Sequence, residues 1–222
     1  MIFDFLVEYF PLILRGFFTT VQVTFFGVLM GLVLGIFLAI GDLYGGKTIS
    51  TIIKFYVEFF RGSPLIIQLF IFYFSMPTLL NISIDSLTIG FIVFGLNSAG
   101  YQKGYIKGAM ESVYEDQMTA ALSIGLSKFQ AIMYVVLPQA LRIVIPPWGN
   151  EFCSLAKSTS ALLIIGVAEL TSAGKSIASW TFRVIETYTF IALIYLLWIS
   201  VVMKFLDILY NKVKIPGIEI TV

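Results

Sequence analysis

The chain has 222 residues, of which 59% are hydrophobic and only 12% charged, with a formal net charge of +1. A soluble domain carries about 45–50% apolar and about 25% charged residues, so this composition cannot be buried in a water-facing globule and places the chain in a lipid bilayer. The same numbers exclude intrinsic disorder and a soluble nucleic-acid binder.

Two absences narrow the chemistry. There is no histidine, which removes His metal sites, Ser-His-Asp triads and His proton relays. Cys153 is the single cysteine, so no internal disulfide or Cys-rich zinc site can form. With no base to activate it, Cys153 reads as a small buried residue in a helix. The sequence therefore predicts no catalytic residue, no metal and no cofactor.

A membrane helix needs about 20 mostly apolar residues. Five stretches qualify in chain order, at about 16–41, 52–75, 87–102, 141–167 and 188–209. The expected fold is all-α, a single polytopic membrane domain over 1–222 with about five transmembrane helices and short cytoplasmic helices. Met1–Arg15 lacks a basic start, since Asp4 and Glu8 precede the first basic residue, so it is not a secretory signal and the first span is expected to be retained.

Basic residues set the direction. Lys47, Lys54, Lys103, Lys107, Lys128, Arg142, Lys204, Lys212 and Lys214 fall in the segments on one side, against Arg15, Lys175 and Arg183 on the other. That excess predicts the N-terminus outside and the C-terminus in the cytoplasm.

Glycine recurs every fourth residue at Gly27, Gly31 and Gly35, and again at Gly100, Gly104 and Gly108. Such ladders clear grooves for close helix packing. Gly41 to Thr48 fits the phosphate-cradling pattern G-x-x-x-x-G-K-[ST]. It follows a membrane span in a short loop with no room for a nucleotide domain, so it is expected to be a glycine-rich turn.

The longest polar stretch, about 103–137, lies on the expected cytoplasmic side. It reads as short helices punctuated by glycine, with Tyr114-Glu115-Asp116-Gln117 placing acids at a helix start, Gly125 breaking the run and Pro138 ending it. A helix-turn-helix here would be a docking knob for a soluble partner.

Thr119-Ala120-Ala121, then Gly125, then Leu137-Pro138 twelve residues on, resembles the EAA loop of ABC-importer permeases. Arg61-Gly62-Ser63-Pro64-Leu65 with Gln68, Leu96-Asn97-Ser98-Ala99, Pro146-Pro147-x-Gly149-Asn150-Glu151-Phe152 and Lys157-x-Thr159-Ser160 are similar to the polar amino acid branch of that family. The order and spacing hold from about residue 12 to 210. Thr119 stands where the family's loop has glutamate, and Gly104 and Ser158 stand where acids are usual.

The resemblance implies a permease subunit of a binding-protein-dependent importer, in the prokaryotic inner membrane, moving a polar amino acid into the cytoplasm by alternating access. It implies that two permease copies pair, as a homodimer or with a sister subunit. Two separate ATPase subunits would dock on a coupling loop at about 111–138, through Thr119, Ala120, Ala121, Gly125, Leu137 and Pro138. An extracytoplasmic binding protein would deliver the substrate, and the permease itself would hold no ATPase site. A self-sufficient secondary carrier or channel is the alternative. It is disfavoured by the lack of an inverted repeat or a chain of membrane carboxylates. A structural scaffold would leave the polar fourth span unexplained.

Ionisable residues at membrane depth usually mark a pathway. At about 100° per residue, Asn150, Glu151, Ser154, Ser158 and Thr159 share one broad face of the fourth span, with Lys157 at its border. Asn97, Ser98 and Tyr101 form a second polar set on the third. These eight are the expected substrate-path residues, with Glu151 contacting an ammonium or cationic group or, structurally, pairing with Lys157 or Arg61. Pro146, Pro147 and Gly149 are expected to loosen the helix beside Glu151. Arg61 and Glu58, at i, i+3, read as a local pair or as snorkelled ends.

Overall fold

The computed structural model describes residues 5–214, without the side chains of residues 5, 6, 114 and 115. Residues 1–4 and 215–222 lie outside that range. So do the start of the segment read as lacking a secretory signal, and the side chains of Tyr114 and Glu115. Among the described residues every regular element is helical.

The elements run α1 (Phe5–Tyr44), α2 (Gly46–Gly62), α3 (Leu65–Phe70), a π-helical turn (Ile71–Ser75), α4 (Met76–Leu80), α5 (Ser86–Ser123), α6 (Lys128–Ala131), a second π-helical turn (Ile132–Val136), α7 (Leu137–Ile143), α8 (Ile145–Ser158), a 3₁₀ segment (Thr159–Ile165), α9 (Leu170–Thr181) and α10 (Val184–Val213). In hydrocarbon no water can satisfy exposed backbone groups, which is why the chain is helical wherever it is apolar.

α1 and α10 are each long and apolar enough to cross a membrane alone. The second and fourth expected spans pass only as bent pairs. Gly46–Gly62 meets Leu65–Leu80 at 106°, and Lys128–Ile143 meets Ile145–Ile165 at 57°. α5, the third expected span, is more polar and packs along α1.

The α1–α5 seam is parallel. A Cβ on Gly27 would lie 3.1 Å from Phe94 Cβ, one on Gly31 2.7 Å from Ser98 Cβ, and one on Gly35 3.1 Å from Gln102 Cβ. The register advances four residues on both helices together, and only glycine on α1 permits this approach. The first ladder is therefore a packing seam, as its spacing predicts. The second is not. A Cβ on Gly100 or Gly104 would meet the Arg61 side chain at 3.4 and 3.5 Å, and Gly108 has nothing within 4 Å.

Three expectations need correction. The second span is not continuous, because Ser63 (φ −102°, ψ 145°) and Pro64 (φ −61°, ψ 136°) are extended. Proline has no N–H to donate and pushes the preceding residue out of the helical region. The stretch from 103 is not a string of short helices: α5 continues unbroken to Ser123, so residues 114–117 lie within a helix. A single glycine costs a helix about 1 kcal/mol relative to alanine, which a 38-residue helix packed on α1 absorbs. The fourth span bends at Val144, and Pro146 and Pro147 occupy the first turn of α8 rather than its interior. α8 is regular past Glu151, and Gly149 packs against Met203 and Leu206 of α10.

The Gly41–Thr48 segment is the last turn of α1, a one-residue bend at Gly45 and the start of α2, with Gly46 at φ 79° and no strand before it. Cys153 on α8 is free and half-buried rather than fully buried.

The interior divides into three apolar clusters. One, around Ile106, Met110, Ile132, Val136 and Ala140, holds the long end of α5 against α6 and α7. A second, around Val23, Leu69, Phe94, Leu155 and Leu162, joins α1, α3, α5 and α8. The third, Ile13, Leu170, Ile177 and Ile191, seats α9 between α1 and α10.

Candidate functional site

The break between α2 and α3 leaves backbone carbonyls without helical partners, and two amides fill them. Gln68 Nε2 donates to Phe60 O at 2.8 Å and to Ser63 O at 3.0 Å. Asn97 Nδ2, from α5, donates to Phe60 O at 2.9 Å and to Gln68 Oε1 at 3.1 Å. Gln68 is fully buried, so its place in the second span is explained by this cradle. The cradle fixes the break against α5.

The break opens a cavity of about 320 Å³, lined by Arg61, Gly62, Ser63, Pro64, Leu65, Asn97, Tyr101, Glu151, Ser154, Leu155 and Ser158. Its volume is at the small end of ligand sites, which run from about 300 Å³ upward. Glu151 is 4% exposed and accepts from Ser98 Oγ at 2.8 Å. Gln102 Nε2 donates to Ser98 Oγ at 3.0 Å and to Val28 O at 2.8 Å, so the support behind the carboxylate runs from α1 through α5 to α8.

Of the two expectations for Arg61, a local pair with Glu58 or a snorkelled end, the ion pair does not form. The Arg61 guanidinium carbon lies 5.0 Å from the centroid of the Tyr101 ring, within the range of a cation–π contact. Gly100 and Gly104 lie beside this side chain, where a Cβ would meet it at an ordinary contact distance. Nor is Glu151 paired with Lys157 or Arg61 in this structure, and Lys157 is exposed outside the cavity.

The eight residues expected on the path separate by position. Glu151, Ser154, Ser158, Asn97 and Tyr101 line the cavity, and Ser98 stands behind Glu151. Asn150 is exposed and does not line it. Thr159 is fully buried, donates to Ala156 O at 2.8 Å and lies 3.4 Å from Tyr195 Oη. The 3₁₀ winding from Thr159 onward turns this residue away from the cavity face. Arg61, Ser63, Pro64 and Leu65 were not among the expected path residues. The signal for them was the Arg61-Gly62-Ser63-Pro64 run itself, a charge beside a helix breaker at membrane depth.

At the far end of α5, Gly125 adopts φ 88°. Leu126 N–H reaches Ala121 O at 3.2 Å and Gly125 N–H reaches Leu122 O at 3.0 Å, the paired bonds of a Schellman cap. Ser127 and Gln130 then form a capping box that starts α6. Thr119, Ala120, Gly125 and Pro138 are exposed, whereas Ala121 and Leu137 are buried in the cluster beneath. Around the turn, Leu122, Ile124, Phe129 and Tyr134 are exposed, Ile124 to 80%.

Residues 31–215 match the family model of the binding-protein-dependent transport system inner membrane component. The chain belongs to this family. It is thus a multi-pass inner-membrane permease of an ABC importer, a transport subunit of a kind that works with ATPase and binding-protein partners. The permease is 34% identical over 197 residues to the glutamine transport system permease protein GlnP of Escherichia coli K12, covering 88% of this chain and 90% of that protein. It is 34% identical over 195 residues to the probable amino-acid ABC transporter permease protein PatM of Vibrio harveyi, covering 87% of each. A crystal structure of an amino acid ABC transporter with histidines superposes with a TM-score of 0.85 at 32% identity, covering 95% of this permease and 98% of that chain. The MetNI methionine ABC transporter, in an inward-facing form, shares the fold at a TM-score of 0.73 and 20% identity over 92% of this permease and 97% of that chain.

Proposed function

We propose that this permease passes a polar amino acid from an extracytoplasmic binding protein to the cytoplasm through the cavity at the α2–α3 break. The observation that carries the reading is that Arg61 and Glu151, on different helices, line one small cavity with opposite charges. A zwitterion leaving water needs both signs to replace its hydration. Glu151 takes the ammonium and Arg61 takes the carboxylate. Asn97 spends its amide nitrogen on Phe60 O and Gln68, which leaves its carbonyl oxygen as a further acceptor. Ser154 and Ser158 complete the polar wall. Relatives named for glutamine and amino-acid transport support the substrate class.

The turn at Gly125 serves as the coupling knob. Thr119, Ala120, Gly125 and Pro138 offer a low surface, and Leu122, Ile124, Phe129 and Tyr134 supply the apolar contacts that a soluble ATPase would cover. Two ATPase copies serve a pair of permeases, which form a homodimer or join a sister subunit. The excess of basic residues on the turn side supports an N-terminus outside and a C-terminus in the cytoplasm.

The test is reconstitution of the permease with its ATPase and binding protein in proteoliposomes, with uptake and ATP hydrolysis screened against single amino acids. Glu151→Gln and Arg61→Met should each raise the substrate concentration for half-maximal uptake by about tenfold or more, the loss of a charged hydrogen bond of about 1.5–3 kcal/mol. Unchanged uptake in both variants would overturn the site.

A further inference from the structure

The segment that mimics a phosphate-binding loop carries a buried carboxylate bonded to three side chains. Asp42, at the end of α1, is 8% exposed. Its Oδ2 lies 2.7 Å from Lys103 Nζ and 2.8 Å from Lys107 Nζ, both on α5. Its Oδ1 accepts from Ser50 Oγ, on α2, at 2.5 Å. One side chain thus ties three helices at a single point. Two residues along, the Lys128 ammonium of α6 stands 5.3 Å from the centroid of the Tyr44 ring, so the same turn also meets the segment that follows Gly125.

The position of this tie gives it a mechanical meaning. α5 is one unbroken helix, with Asn97, Ser98 and Tyr101 at its cavity part and Ser123 at its cytoplasmic end. Lys103 and Lys107 sit between the two. α2 begins at the same turn and ends at Arg61 and Gly62, on the opposite wall of the cavity. A push on the Gly125 turn that moves α5 is passed on to the α2 wall of the cavity only if α2 is held to α5. Between these helices the structure offers Asp42 as the ionic post at the base of α2, and the Tyr56–Leu96 and Phe60–Asn97 bonds and the Arg61–Tyr101 contact toward the top.

We propose that Asp42 is a positioning residue for transport: it pins the base of α2 to α5 so that displacement at the Gly125 turn is delivered to Arg61 at the cavity. The inference rests on the reading of the cavity as the substrate path. Asp42 touches no substrate. Its removal alters the yield of transport per ATP, not the capacity of the ATPase to dock or to hydrolyse.

The experiment uses the full complex of permease, ATPase and binding protein in proteoliposomes supplied with a mixture of radiolabelled amino acids. Uptake and ATP hydrolysis are read in the same vesicles for the wild type, Asp42→Asn, Asp42→Glu and Ser50→Ala. A failure of the wild type itself to accumulate amino acids would refute the cavity reading and the proposal with it. Given wild-type uptake, Asp42→Asn should lower amino acid taken up per ATP by about three- to tenfold, within the range of coupling variants remote from both sites. Co-purified ATPase and basal hydrolysis should stay at wild-type level. Asp42→Glu should restore most of the ratio. Ser50→Ala, which frees only α2 and leaves the lysines neutralised, should lower the ratio by about twofold on the same scale, and it decides the matter if Asp42→Asn does not assemble. A wild-type ratio in the assembled variants would overturn the proposal. So would a parallel loss of uptake and hydrolysis, the signature of a merely structural tie.

Discussion

Ser98 on α5 holds Glu151 on α8 through a single hydrogen bond of 2.8 Å, the one protein hydrogen bond to that carboxylate among the described residues. Gln102 and the Val28 carbonyl stand behind it. Ser98→Ala should therefore leave the carboxylate less well placed without removing its charge. The expected outcome is a rise in the half-saturating amino acid concentration of about tenfold or more, set by a charged hydrogen bond of about 1.5–3 kcal/mol. Uptake kinetics in proteoliposomes check this. Assembly with the ATPase should not change.

The amide cradle at the helix break makes a prediction about stability. Asn97→Leu removes the α5 donor to Phe60 O, and Gln68→Leu removes the donor shared by Phe60 O and Ser63 O. Asn97→Leu leaves Phe60 O with Gln68 as its one donor and the buried Gln68 Oε1 with none, and Gln68→Leu leaves Ser63 O with none, each at a cost of about 1–3 kcal/mol. Thermal unfolding in detergent should show both variants melting below the wild type, Gln68→Leu the more so because it serves two carbonyls.

Much of this site was visible before the fold was known, and the rest was hidden for identifiable reasons. Glu151 declares itself as a carboxylate in an apolar stretch, and the face it shares with Ser154 and Ser158 follows from helical periodicity. Thr159 was assigned to that face by the same periodicity, which fails where the helix tightens to 3₁₀ winding. Arg61 was read against Glu58, its neighbour in sequence, because the ring it stacks on is forty residues away on another helix. The span containing Pro64 passed as continuous on hydropathy alone, since hydropathy sums side chains and is blind to a missing backbone donor.

The two glycine ladders should respond differently to the same change. Gly31→Ala places a Cβ 2.6 Å from Gln102 Nε2 and 2.7 Å from Ser98 Oγ. It should disturb both the seam and the support of Glu151. An overpacked core site costs about 1–3 kcal/mol. Gly108→Ala meets nothing within 4 Å and should stabilise α5 by up to about 1 kcal/mol through helix propensity. Melting temperatures of the two variants, measured side by side, make the comparison.

Gly125 is required by its backbone and not by space, since nothing lies within 4 Å of it. Gly125→Val forces a β-branched residue to φ 88°. The left-handed conformation costs an L-residue roughly 1–2 kcal/mol. The variant should remain in the membrane yet recover less ATPase on co-purification, because the turn that presents Ile124 and Phe129 is distorted. Gly125→Asn should retain more ATPase than Gly125→Val, since asparagine tolerates this region.

Asp85 caps the N-terminus of α5, accepting from Thr88 Oγ1 at 2.6 Å and Thr88 N at 2.9 Å. The hydroxyl bond, with the backbone bond beside it, holds this carboxyl below its ordinary value. A depressed folded-state value means that the cap's contribution is present above the unfolded-state value and is lost as pH falls through the folded-state one. The difference in melting temperature between wild type and Asp85→Ala should therefore persist from neutral pH down to the ordinary carboxylate range and shrink only in stronger acid. Asp85→Asn should cap without that dependence.

The parallel seam between α1 and α5 also constrains how the chain is made. Gly31 and Ser98 stand 67 residues apart, with the bent α2–α4 passage between them. At about 5–20 residues per second of synthesis, α1 waits in the bilayer for roughly 3–13 seconds before its groove can be filled. During that interval its glycine face is open to lipid or to any other helix with a complementary ridge. Biogenesis of this permease is thus a problem of deferred pairing, in which the first helix inserted is held in reserve until the ribosome has delivered its match.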